Sequence, residues 1–164
     1  KTGQAVALVD AEEKIQGKGF GSGHGAKHLF TLKTRDAAHP IMQGLPAEWL
    51  HANDELYGRM RGSADHMHVL SSSFSKPEFG GTDMHEPMVW FAPFGKGRVV
   101  TTSMGHIMAA DTSYDALHCV GFQTILARST EWAATEKVTL AVPEGFPTLD
   151  KTSVIEPAKV NWKK

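Results

Sequence analysis

The chain has 164 residues, 41% of them apolar and 21% charged, which are the proportions of one globular domain with a core of useful size. A net charge of -1, with no basic run, offers no general attraction for nucleic acid or an anionic membrane, and no apolar run approaches the roughly 20 residues that span a bilayer. The single cysteine, Cys119, excludes an internal disulfide, and nine histidines are the one departure from ordinary composition.

In chain order, Ala5–Val9 reads as a short strand, followed either by Lys14–Gln16 as its hairpin partner or by a loop. Gly17 to Gly25 then carries glycine at every second position, which implies backbone passing close to another group. It lacks the spacing and the strand–helix setting of a phosphate loop. His28–Lys33 alternates as a strand. His39-Pro40 through Gly44-Leu45-Pro46 is a turn-rich link, and Trp49 follows as a packing residue. Asp54 and Glu55 are adjacent, so on extended backbone they point to opposite faces and do not share a proton. Met67–Ser73 is a further strand, and Ser75–His85 is a loop that turns at Gly80-Gly81.

Met88–Phe91 and Val99–Thr102 flank Phe94-Gly95-Lys96-Gly97 and predict a β-hairpin. Arg98–Met104 is nearly all β-branched, small or apolar, as a central strand buried on both faces would be. It ends at Gly105-His106. Asp111, Thr112 or Ser113 is placed to cap a helix over Asp115–Ala134, with Phe122, Ile125, Leu126, Ser129 and Ala133 on one face. Val138–Val142 reads as an edge strand, and residues 143–164 as an extended tail or linker after a domain over 1–142.

A buried strand ending in Gly-His before a helix is where open α/β sheets place ligand-handling groups, which makes His106 the first candidate for acid/base chemistry. His24 and His28 are four apart, a metal-ligand spacing only on helical backbone, and the surrounding glycines argue against helix. They remain, with His106, the candidates for a divalent metal, and His24 and His28 also for contact with substrate. His85-Glu86 has the residue types of a substrate-binding pair. His39 fixes a turn, and His51, His66, His68 and His118 read as solvated or locally bonded. Trp49, Trp90 and Trp132 are core. Cys119 falls inside the predicted helix and reads as packing.

Five motifs stand in order: His39-Pro-Ile with Gly44-Leu-Pro46, Asp54-Glu-Leu-Tyr57, Glu86-Pro-Met-Val-Trp90, Phe94-Gly-Lys-Gly-Arg-Val99 and Thr102-Ser-Met-Gly-His106. Arg128–Ala134 and Lys137–Leu140 extend them. Together they resemble the ThuA-like, or trehalose-utilisation, family. The resemblance implies an α/β fold of the flavodoxin-like, class I glutamine amidotransferase-like type, here a partial sheet with flanking helices and a β-hairpin. It implies carbohydrate metabolism as the setting, with Asp54 and Glu55 joining His106 as catalytic candidates and Tyr57 as a substrate contact. The chain begins at Lys1 rather than Met and lacks the sharp turn that carries the nucleophile in related folds, so it reads as the C-terminal part of such a domain.

Three functions follow from this reading. One is an enzyme acting on a glucoside, disaccharide or keto-sugar by histidine or metal-assisted chemistry. The others are a non-catalytic sugar-binding domain and an inactive fragment. The expected partner is a small sugar, with neither nucleic acid nor membrane involved. A sheet edge left bare would favour self-association or pairing with an upstream half. Compartment is unassigned.

Overall fold

The computed structural model describes residues 22–60 and 66–162. The strand and its partner expected over Ala5–Gln16, and the glycines at 17, 19 and 21, lie outside the described residues. Among the described residues seven strands run in chain order: β1 (Gly23–His24), β2 (His28–Thr34), β3 (Glu48–Asp54), β4 (Tyr57–Gly58), β5 (His68–Ser75), β6 (Met84–Phe94) and β7 (Gly97–Thr102). Helices α1 (Asp115–His118) and α2 (Val120–Thr135) follow. The larger sheet has the order β3-β2-β5-β6-β7, and β1 and β4 form a separate two-stranded ribbon. The fold is α/β, and every described ladder is antiparallel.

The hairpin forms as its sequence requires, with Trp90 opposite Thr101, Ala92 opposite Val99 and Phe94 opposite Gly97. Gly95 turns the chain at φ +58. The placement of its second strand differs from expectation. β7 is the sheet's edge rather than its centre, and Val99 is half exposed. An antiparallel sheet with one buried face asks only alternate residues to be apolar, and β-branched side chains suit such a half-covered strand as well as a central one. Arg98 instead ties this edge to α2, donating from Nε and Nη2 to the Ala133 carbonyl at 3.2 and 2.9 Å.

The predicted helix is two helices broken at Cys119, whose ψ of 118 is extended. None of the expected caps serves it: Tyr114 holds the N-cap position of α1 without a side-chain bond. On α2, Phe122, Ile125, Ser129 and Trp132 are buried, as are Gly121 and Arg128, while Leu126 is exposed. Two close approaches fix the helix on the sheet. A Cβ at Gly121 would lie 2.2 Å from the Trp49 ring, and one at Gly105 would lie 2.6 Å from the Phe122 ring. Trp49, Leu32, Ile41, Met42, Leu70 and Met88 fill the core between them. Arg128 reaches across it, donating to the carbonyls of Ile41, Gln43 and Leu140.

Residues 138–142 form no strand. Their amides go to a side chain instead of a ladder: Glu131 accepts from Thr139 N at 2.9 Å and Leu140 N at 3.2 Å. The segment beyond returns to the body. Leu50 N donates to Thr148 O, Val120 N to Ser153 O and Ile155 N to His118 O, and Val154 bridges Cys119. Among the described residues no helix is long and apolar enough to cross a membrane.

Candidate functional site

Asp54 ends β3 with its side chain wholly buried, and its two oxygens collect the donors of the strand end opposite. Gly105 N donates to Oδ2 at 2.7 Å and His106 N to Oδ1 at 3.1 Å. Glu55 N donates to Oδ1 at 2.7 Å, and His51 Nε2 lies 2.9 Å from Oδ2. A carboxylate with this many charge-assisted bonds is a clamp that fixes the Gly105-His106 turn. Gly105 has φ +91, a conformation that favours glycine, and Phe122 leaves no room there for a Cβ.

The charges of the clamp are set by each other. Burial opposes ionisation of Asp54, but its bonds to His106, His51 and Gly105 N hold its carboxyl well below the usual range. Burial likewise opposes charge on His51, yet the bond to Asp54 raises it to about 9. Asp54 is therefore ionised and His51 protonated at neutral pH.

His106 stands half-exposed at the mouth of this clamp, with Nδ1 3.4 Å from Asp54 Oδ1, an ion-pair contact outside hydrogen-bond alignment. Its ring stacks on Tyr57, with centroids 4.4 Å apart, and Tyr57 meets His24 at 4.9 Å. His24 Nε2 lies 3.5 Å from Glu55 Oε2. Burial is the largest effect raising the Tyr57 phenol, with the Glu55 charge beside it. Next to His106 opens a polar cavity of about 170 Å³, lined by Lys27, Asn53, Asp111, Thr112 and Ser113 among others. Lys27 Nζ pairs with Asp111 Oδ2 at 2.5 Å, which raises the ammonium and lowers the carboxyl.

The structure thus brings together His106, Asp54, Glu55, Tyr57 and His24. Asp54 and Glu55 take different partners, as adjacent residues on extended backbone must. His28 stands opposite Asp54 in the β2–β3 ladder with its ring turned to Phe79, and His85 and Glu86 lie elsewhere. His28 stacks on Phe79 at 3.9 Å, and His85 packs edge-on to Phe74 near Ser72. Glu86 is buried behind Gly58, accepting from Thr82 Oγ1 at 2.7 Å and Arg59 N at 3.2 Å. Of the three metal candidates, His24 and His106 both meet Tyr57 while His28 stacks on Phe79, and among the described residues no three His, Cys, Asp or Glu side chains are grouped to hold a metal ion. Residue reasoning missed His51, Lys27 and Asp111. Only His51 carried a signal, its place three residues before Asp54.

The α/β fold thus presents a clamped histidine beyond a strand end, beside a polar cavity. The chain belongs to the ThuA family, described as trehalose utilisation, which matches residues 6–133. It is similar to a ThuA-like protein of known structure from Parabacteroides merdae ATCC 43184, at 42% identity and a TM-score of 0.78. That match covers 82% of this chain and 48% of the other, so the chain spans about half the length of that relative. No curated protein matches the chain.

Proposed function

We propose that the chain carries the histidine-bearing part of a carbohydrate-metabolising site, acting on a glucoside, disaccharide or keto-sugar by acid/base chemistry at His106. The observation that supports this reading is the clamp. His106 has its backbone fixed by Asp54 and its ring held against Tyr57, while its side chain faces a cavity of hydroxyl, amide and charged groups. Such a ring is positioned to take a proton from a substrate hydroxyl or from carbon next to a carbonyl. Lys27, protonated and held by Asp111, is placed to offset negative charge developing on the substrate oxygen. His24 and Glu55 form a second proton-handling pair on the far side of Tyr57. Asp54 is a positioning residue, since its oxygens already accept from their protein donors.

The test is to assay the 164-residue chain and H106N against glucosides, disaccharides and keto-sugars, with ligand-observed NMR for binding. We expect H106N to lower turnover by about 10²-fold or more while leaving binding largely intact. Equal turnover in the two proteins would refute the role. A second reading, a sugar-binding domain without turnover, draws support from the chain's spanning 48% of its relative. Binding without turnover in the wild-type chain would select it.

A further inference from the structure

Glu86 reads in sequence as a substrate contact, yet on β6 it is wholly buried and out of a substrate's reach. What it touches is the underside of the ribbon that carries Tyr57. Its Oε1 accepts from the Thr82 hydroxyl at 2.7 Å and from Arg59 N at 3.2 Å. β4 passes so close to the same oxygen that a Cβ at Gly58 would lie 2.7 Å from it, an approach that only glycine permits. Arg59 has a left-handed φ of +55, which a non-glycine residue keeps only where its surroundings impose it. Within the ribbon Gly23 pairs with Gly58 and His24 with Tyr57. The turn between β5 and β6 supports both strands. Ala26 N, just past β1, donates to Phe79 O at 2.8 Å, and Thr82 N donates to Ser75 Oγ at 3.1 Å. Held in this way, the Tyr57 ring lies on His106 at 4.4 Å and meets His24 at 4.9 Å.

We propose that Glu86 is a positioning residue for Tyr57 and, through the Tyr57 ring, for His106. One carboxyl oxygen sets the height of Gly58 and Arg59 above β6, and Tyr57 is the residue just before them. The Asp54 clamp fixes the backbone of His106 and leaves its imidazole to be oriented by what it stacks on. A β4 that rose from Glu86 would carry the phenol off that imidazole. Two of the sequence motifs, Asp54–Tyr57 and Glu86–Trp90, thus meet at this contact. The contact needs an acceptor rather than a charge. Burial raises the Glu86 carboxyl against the pull of Thr82 and Arg59 N, and Oε2 has no partner, so a neutral amide would present the same useful oxygen.

The ring protons of His106 report the stack by NMR in the substrate-free 164-residue chain. In the wild type the Tyr57 ring current displaces them, and Y57L marks their position without it. We expect E86M, which has no acceptor, and G58A, which pushes β4 off the oxygen, each to move the His106 signals at least halfway toward Y57L. E86Q should leave them at the wild-type position. T82V removes one hydroxyl and keeps the shape, so it should move them the same way by less, and it reads the contact if a larger change prevents folding. Wild-type shifts in folded E86M, G58A and T82V overturn the inference, as does an E86Q spectrum that matches E86M. The effect on rate rests on the proposed function: E86M should lower kcat about tenfold with KM unchanged, and E86Q should restore it. An unchanged kcat in E86M, beside the loss in H106N, would overturn the positioning role alone. A wild-type chain without sugar turnover would sink the function, and the His106 shifts would still decide the role of Glu86.

Discussion

Asp54 shows how one residue sets both the stability and the geometry of the site. Its ionised form is favoured in the fold, so the stability it supplies is present above its ordinary 3.8 and is lost as pH falls below that value. His51 is the reverse case: raised to about 9, it contributes fully below its ordinary 6.5 and loses that contribution as pH climbs through about 9. Thermal melts across pH should therefore show a plateau between 3.8 and 6.5 that falls on both sides. D54N removes one partner of a buried pair and should cost about 3 kcal/mol near pH 6, flattening both limbs. A variant melting within a degree of the wild type would contradict the clamp. Glu86 behaves differently. Burial raises its carboxyl, and its Oε2 has no partner, so its charge is a burden at neutral pH. E86Q should melt no lower than the wild type at pH 8 and lose its advantage in acid; a large fall at pH 8 would show that the charge is needed.

At the scale of elements, the seat of α2 on the sheet depends on two glycines. G121A pushes a methyl group into the Trp49 ring and should destabilise by about 1–3 kcal/mol, read from denaturant midpoints. G105A meets both the Phe122 ring and a positive φ, and we expect it to disturb His106 as well. His106 NMR shifts identical to the wild type would argue otherwise. The elements that were legible in sequence are those whose pattern is their own. In β2 alternating apolar residues match alternating burial, and the β6–β7 hairpin is announced by its glycines. β3 was obscured because it buries His51 and Asp54 beside Trp49 and Ala52, so polar side chains stand where apolar ones are expected. The break at Cys119 leaves no mark in side-chain periodicity, since the residues on both sides still face the core. Of the candidates, His106 was legible from its place after a strand, His24 from its spacing to His28 and Asp54 from the resemblance, and the structure sets these three side by side around Tyr57 and the Gly105-His106 turn. Lys27 and Asp111 were not, because their pairing joins positions 84 residues apart.

For the whole molecule, the exposed side chains and the sheet edge bear on association. Leu29, Phe74, Phe94 and Val99 are all at least 41% exposed, and β7 pairs on one side alone among the described residues. We expect the chain to self-associate through this edge at high concentration, and V99K to shift sedimentation toward the monomer. A wild-type chain that stays monomeric throughout would remove the edge as an interface. The match over 48% of a relative's length also bears on rate, since a site that shares its groups with residues outside this chain is only partly assembled here. An upstream-extended protein should turn over a keto-sugar faster than the 164-residue chain, and equal rates would show that these residues suffice.

The returning C-terminal segment gives the fold an order in time. Ser153, Val154 and Ile155 bond the backbone on both sides of Cys119, and Thr148 bonds Leu50, next to His51. During translation His51, Asp54 and His106 all emerge from the ribosome well before residue 155. Until then the backbone on both sides of Cys119 lacks these partners. Residues 153–155 thus join the helix break only after the strand that carries His51 and Asp54, and the turn at His106, have been made.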